Sequence, residues 1–127
     1  MAKPAFRQIA DERYVSLSTF RRNGTEVATP IWVAAVDGKL YAVTDGTSAK
    51  MKRLKVTSGI RLAACDARGN VRGDRIDGHA RRVEEAATIQ RAIDALARKY
   101  GWQFGVLNFF STLFGRIGRR AFIEIEI

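Results

Sequence analysis

Two dipeptides constrain this chain more than anything else in it. Asn23-Gly24 and Asp37-Gly38 each sit between runs rich in β-branched and aromatic residues. An Asx-Gly pair readily takes the positive φ angles of a type I′ turn, whose twist matches that of two antiparallel strands. Strands are therefore predicted on either side. Arg13 to Phe20 alternates, with Val15, Leu17 and Thr19 on one side and Ser16 and Ser18 on the other. Glu26 to Val36 is the returning strand. Pro30 inside it cannot donate to a ladder, so that point is an edge, a bulge or a place where the backbone faces a ligand. Lys39 to Thr44 is a third strand. Asn23-Gly24-Thr25 also spells a glycosylation acceptor, but Met1 to Ile9 carries no secretion signal, so the turn reading is preferred.

Beyond the second hairpin the pattern continues as strands, then changes period. Ser48 is placed to cap a short helix from Ala49 to Val56. Ile60 to Asp66 reads as a fourth strand, Arg68-Gly69 as a turn, and Arg72 to Val83 as a fifth strand with bulges at Gly73 and Gly78. From Glu84 to Tyr100, Ile89, Ile93, Leu96 and Tyr100 form one stripe of an amphipathic helix. Glu84 and Glu85 at its start and Arg98 and Lys99 at its end suit the helix dipole, and Gly101 stops it. Gln103 to Phe114 is predicted as a second, apolar helix. Ala121 to Ile127 is a sixth strand, with Ala121, Ile123, Ile125 and Ile127 opposed to Phe122, Glu124 and Glu126. The sum is a mainly β fold: one domain over residues 1–127, a six-stranded antiparallel barrel with peripheral helices.

Charge narrows the partners. Lys and Arg number 22 against 13 Asp and Glu, a net +9, which favours an anionic ligand or surface. A nucleic acid is disfavoured, because the basic residues are scattered and no strand interleaves them with stacking aromatics. A single cysteine, Cys65, and a single histidine, His79, exclude a disulfide framework, a cysteine-based zinc cluster and a multi-histidine metal site. The apolar run Trp102 to Phe114 is too short to span a bilayer. A cytoplasmic protein without a membrane span is expected.

The most informative segment is Thr44-Asp45-Gly46-Thr47-Ser48-Ala49-Lys50-Met51-Lys52-Arg53-Leu54-Lys55, where a strand ends and a helix begins. Hydroxyls of Thr44, Thr47 and Ser48, free amides at the helix start and the Lys50 ammonium could converge on one phosphate. The competing reading is a capped surface helix with solvated lysines. Elsewhere, His79 reads as solvated or interfacial and Cys65 as a packed thiol. No nucleophile elbow or phosphate-binding Walker loop is present. Trp102, Phe104, Phe109, Phe110 and Phe114 either wall a substrate pocket or pack a helix against the barrel, the second reading being preferred.

Taken in order, Thr29-Pro30-Ile31-Trp32, Asp37-Gly38-Lys39-Leu40-Tyr41, Thr44 with Ser48 to Leu54, and Ile60-Arg61-Leu62 resemble the pyridoxamine 5′-phosphate oxidase-like split β-barrel proteins. Together with Ala63 to Gly69, they are most similar to the small actinobacterial branch that uses the deazaflavin coenzyme F420 in place of FMN. The resemblance covers residues 10–83 well and the helical part loosely. It implies a homodimer with cofactor sites at the subunit interface. The lysine of the Ser-x-Lys segment, here Lys50, would contact the cofactor phosphate, with Thr44, Thr47, Ser48 and Ala49 beside it and Lys52 nearby. Pro30, Ile31 and Trp32 would lie along the ring system. Arg53 stands where many relatives have an asparagine, and an arginine can still reach an anionic tail. A basic groove for that tail would draw on Lys52, Arg53, Lys55, Arg72, Arg75, Arg81 and Arg82. The implied activity is an F420-dependent oxidoreductase moving a hydride to a small organic acceptor, with the cofactor doing the chemistry. The alternatives are an FMN-binding oxidoreductase of the same fold and a non-catalytic F420- or flavin-binding barrel.

Overall fold

The computed structural model describes residues 4–106 and 120–127. Helix α1, Pro4–Ala10, precedes strands β1, Val15–Phe20, β2, Glu26–Ile31, β3, Ala34–Val36, and β4, Lys39–Asp45. Helix α2, Ala49–Val56, is followed by β5, Gly59–Ala64, and β6, Ile76–Val83. Helix α3, Ala86–Tyr100, and strand β7, Arg120–Glu126, complete the described fold. The seven strands form one sheet in the order β2-β1-β5-β6-β7-β4-β3. Every pairing between these strands is antiparallel. Its two outermost strands, β2 and β3, are consecutive in the chain and joined only through Trp32 and Val33. The sheet therefore curls until its edges approach, as a split barrel does.

Alternation sorts each strand between an inner and an outer core. Val15, Leu17, Ile31, Leu40, Ala42, Ile60, Leu62, Ile123 and Ile125 fill the interior, with Ile9 of α1 and Met51 of α2 packed among them. Each fully buried leucine or isoleucine contributes about 1.5–3 kcal/mol. Helix α3 lies outside the barrel. Its Ala92, Leu96 and Tyr100 bury against Ala34, Tyr41, Val83 and Phe122. The expected stripe is thus rotated: Ala92 faces the sheet directly, while Ile89 and Ile93 flank the contact half-buried.

Several expectations are refined. Seven strands replace six, because the predicted run from Glu26 to Val36 breaks at Trp32 and Val33. Asp37 and Gly38 both take positive φ, 51° and 81°, as a type I′ turn requires. At Asn23-Gly24 only the glycine does, with φ 88°, and Arg21 pairs with Thr25 across a three-residue loop. The fifth predicted strand begins at Ile76 rather than Arg72. Gly78 is no bulge: it sits in regular register with Ile60. A Cβ there would lie 2.5 Å from the Glu126 carbonyl oxygen, so the close approach of β7 requires glycine. Residues 102–106 are helical, and the rest of the predicted helix to Phe114 lies outside the described residues.

Candidate functional site

Helix α2 crosses one end of the barrel, held by Met51 in the interior and by contacts to β1 and β6. Its start follows directly from β4, so Thr44 and the helix's first turn share one neighbourhood. Lys50 Nζ donates to Thr44 Oγ1 at 3.1 Å. One turn further on, Arg53 Nε donates to Thr19 Oγ1 on β1. Thr19 is buried at 1% exposure. Residues three apart on a helix lie on one face, so the two cations face the barrel end together.

Their electrostatics are unbalanced. Among the described residues, neither Lys50 nor Arg53 forms an ion pair. Burial lowers the pKa of Lys50, and the neighbouring Arg53 charge lowers it further. The helix start adds unmet donors. Ser48 occupies the N-cap position in extended conformation, yet its side chain makes no capping bond and α2 has no acid in its first turn. The Ser48 hydroxyl oxygen is instead buried without a hydrogen-bond partner among the described residues. Such a group costs about 1–3 kcal/mol unless a ligand or water satisfies it. Two cations, an orphaned hydroxyl and uncapped amides are the donor set a phosphate takes up.

Of the residues singled out in the sequence, Thr44, Ser48, Ala49, Lys50 and Arg53 fall in this cluster. Thr47 is turned away, its amide and hydroxyl both donating to the Asp45 carboxylate at 2.8 and 2.6 Å. Lys52 is exposed on α2. Pro30, Ile31 and Trp32 are not gathered beside Lys50. In the β1–β2 register Ile31 pairs with Val15 while Thr19 pairs with Val27, four residues or about 13 Å apart. Ile31 packs in the interior, and Trp32 stacks on Tyr100 with ring centroids 4.3 Å apart. Pro30 alone of the three has an exposed side chain, on the edge strand β2. The basic residues proposed as one groove disperse as well. Arg72 reaches Glu12 and the Cys65 carbonyl, Arg81 is tied to Glu124, and Arg75 lines a small cavity with Ser16 and Ser18.

The discounted residues stay out of the cluster. Cys65 is fully buried, and burial pushes its thiol up. His79 is exposed, with Nδ1 3.3 Å from Ser58 Oγ. Phe104 is buried in the outer core and Trp102 is 77% exposed, while Phe109, Phe110 and Phe114 lie outside the described residues. No group of metal-ligating side chains forms among the described residues. No described helix is long and apolar enough to cross a membrane.

A second constellation was not foreseen. Lys99 Nζ donates to the carbonyls of Ala10, Glu12 and Val33 at 2.8, 2.6 and 2.6 Å. Tyr100 Oη accepts from the Val33 amide at 3.0 Å and has its single proton within reach of the Arg13 carbonyl at 3.0 Å, with the Val33 carbonyl at 3.2 Å as the alternative acceptor. In the sequence Tyr100 closes the amphipathic stripe and Lys99 suits the helix dipole, and no local pattern signals that they bind two distant backbone segments, residues 10–13 and Val33.

Solved structures share this architecture at low identity. A conserved hypothetical protein from Mycobacterium tuberculosis superposes with a TM-score of 0.70 at 19% identity, covering 98% of this chain and 79% of that one. The heme storage protein HutZ from Vibrio cholerae gives 0.69 at 12%, covering 99% and 90%. A 5-nitroimidazole antibiotic resistance protein, so described provisionally, from Bacteroides thetaiotaomicron gives 0.70 at 10%, covering 97% and 78%. No functionally curated protein matches. The family model for pyridoxamine 5′-phosphate oxidase matches residues 2–127, nearly the whole chain, and with the curled antiparallel sheet it identifies the protein as a member of the pyridoxamine 5′-phosphate oxidase family.

Proposed function

We propose that this protein is an oxidoreductase that holds a flavin-type cofactor by its phosphate at the start of α2, coenzyme F420 before FMN. The observation that carries the reading is the Lys50–Arg53 pair beside the orphaned Ser48 hydroxyl, a cationic site with no acidic partner among the described residues. When bound, the cofactor supplies hydride transfer to a small organic acceptor. The chain's own part is binding and orientation. Lys50 and Arg53 neutralise the phosphate, Thr44 and Thr19 hold those two side chains in place, and Ser48 with the first-turn amides donates to the phosphate oxygens. Pro30, Ile31 and Trp32 lie too far along the barrel to share that contact, and on this reading they flank the ring system of the cofactor. A homodimer, whose second subunit closes the exposed side of the site, belongs to the same reading.

Preference for F420 rests on charge. Its phosphodiester and oligoglutamate tail present extended negative charge to a +9 chain whose α2 also exposes Lys52 and Lys55. One observation favours FMN as the second reading: Lys50 and Arg53 flank a single compact place, which suits one doubly charged phosphate. Titration with both cofactors, followed by fluorescence at low and high salt, separates the two. F420 is expected to bind more tightly, with an advantage that shrinks as salt screens the tail. Equal binding, or no effect of tail length at low salt, puts FMN first. Binding without turnover of any acceptor by the reduced cofactor would leave a carrier rather than an enzyme. A monomer by light scattering would remove the interfacial site.

A further inference from the structure

Charge is spread unevenly over this fold. Helix α2 carries Lys50, Lys52, Arg53 and Lys55 and no acid. The β1–β2 loop adds Arg21 and Arg22, both exposed. The bond from Arg53 to Thr19 sets that loop beside α2, because Arg21 lies two residues past Thr19, about 7 Å along the chain. Together these cations crown one end of the barrel, and none of them joins an ion pair among the described residues. The acids around them are fewer and already engaged. Glu26 and Asp77 share Arg61, Glu126 pairs with Lys39, and Asp45 takes the amide and hydroxyl of Thr47. A positive excess remains after all of them are counted.

The outward side of α2 carries more than charge. Met51 is buried, and Lys50, Arg53 and Leu54 are half-buried, which leaves Ala49, Lys52, Lys55 and Val56 exposed. Val56, a large apolar side chain, is 48% exposed. It stands one turn from Lys52 and next to Lys55. Ala49, Lys52 and Val56 follow one another at i, i+3 and i+7, a single line along the helix. Lysines flanking an exposed apolar side chain, on a helix without acids, suit a layer of lipid headgroups. There the ammonium groups stay with the phosphates while the lysine stems and the valine reach the apolar boundary.

We infer that this end of the barrel docks onto an anionic lipid surface, with α2 lying along the headgroups. Arg21, Arg22, Lys52 and Lys55 meet the lipid phosphates, and Val56 enters the boundary beneath them. A second copy is the poorer occupant, because a two-fold contact through this face sets the same cations against one another. A nucleic acid would use the charge but gains nothing from Val56, and neither α2 nor the loop offers an aromatic ring for a base to stack on. The docking shares Lys52 and Lys55 with the path proposed for an F420 tail, but it needs no cofactor and no phosphate at Lys50.

Co-sedimentation of the cofactor-free full chain with lipid vesicles tests this. Binding is expected at low salt to vesicles of equal parts phosphatidylglycerol and phosphatidylcholine, and about tenfold weaker or more to phosphatidylcholine alone. Lys52→Glu with Lys55→Glu is expected to weaken it about tenfold or more, as is Arg21→Glu with Arg22→Glu. Arg91→Glu with Arg98→Glu, an equal charge change at exposed positions of α3, controls for the general attraction of a basic protein and is expected to cost about threefold or less. Val56→Ser leaves the charge untouched and is expected to weaken binding several-fold. All of these side chains are exposed, so the substitutions keep the fold. The inference is overturned if both kinds of vesicle bind alike, if the α3 variant loses as much as the α2 variant, or if Val56→Ser changes nothing, which would leave a surface for any polyanion.

Discussion

Two lysines at different places in this fold begin from the same condition and end in opposite ones. Lys50 on α2 and Lys99 on α3 are both half-buried, and burial lowers the pKa of each, in Lys99 to about 8. Lys99 spends all three protons on backbone carbonyls and lies over the face of Tyr100, 5.1 Å from its centroid. Around it the polar groups close on one another, joining the α1–β1 linker to the β2–β3 break. Lys50 has Thr44 for a partner, a second cation at Arg53, and a buried serine hydroxyl with no partner among the described residues. Burying a charge is tolerated when the protein completes its hydrogen bonds, as at Lys99. Where they are incomplete among the described residues, as at Lys50, the open donors are the ones the proposed phosphate would take up. Burial alone would not tell a structural lysine from a binding one; the completeness of the surrounding bonds does.

The sharpest way to break this contrast is to remove each ammonium. Lys99→Met keeps the packing of the aliphatic stem but orphans the carbonyls of Ala10, Glu12 and Val33. It is expected to cost about 2–4 kcal/mol in urea unfolding. Lys50→Ala without ligand is expected to cost less, under about 1 kcal/mol, because losing the one hydrogen bond to Thr44 is offset by relief of burial and of the Arg53 repulsion. Equal losses for the two would erase the distinction.

The converse experiment reads binding. Lys50→Ala is expected to weaken cofactor affinity by about 1.5–3 kcal/mol, the worth of a charge-assisted hydrogen bond. Lys99→Met, where it still folds, should leave that affinity unchanged. Titration of both variants with FMN and F420 checks this, and unchanged affinity in Lys50→Ala removes the phosphate role. A smaller effect is expected from Tyr100→Phe. It keeps the stack on Trp32 but leaves the Val33 amide unsatisfied, a cost of about 1–3 kcal/mol on unfolding.

How far the sequence foretold these two regions follows from where their signals lie. Helix α2 was legible to the residue, because Ser48 and the change from a strand to a basic run mark its start locally. The hairpin at Asp37-Gly38 was legible for the same reason. Whether Ser48 would bond or stay orphaned was not, since that depends on the N-cap geometry rather than on the residue type. The Arg53–Thr19 contact joins residues 34 apart and needs the position of β1 beneath α2. Helix α1 was missed: its PAFRQIA is seven residues long, with one buried anchor, Ile9. The break at Trp32 and Val33 was missed too, because nothing in Thr29-Pro30-Ile31-Trp32-Val33 announces it. The chain leaves the sheet there to meet Tyr100 and Lys99, some 67 residues on. Local chemistry was readable; closure between distant segments was not.

The pH dependence of stability gives the finest separation of the two lysines. For each, the folded pKa lies below the unfolded value of about 10.4, so the unfolded chain binds more protons as pH rises past the folded pKa. Stability is therefore penalised below about pH 8 and recovers between there and about pH 10. Tyr100 then acts in the opposite sense. Burial raises it to about 12, so above about pH 10 the unfolded tyrosine ionises while the folded one cannot, and stability falls again. A bound phosphate should alter only part of this profile. It favours the protonated ammonium of Lys50 and so removes that lysine's share of the alkaline recovery, while Lys99, sealed among carbonyls, keeps its own. Urea melts across that range, with and without saturating cofactor, should thus show a shallower rise in the bound protein. The rise that remains should be lost in Lys99→Met, leaving the fall that the buried Cys65 thiol imposes as its unfolded counterpart ionises. If ligand leaves the slope unchanged, the anion does not sit at Lys50, and the two lysines are both structural.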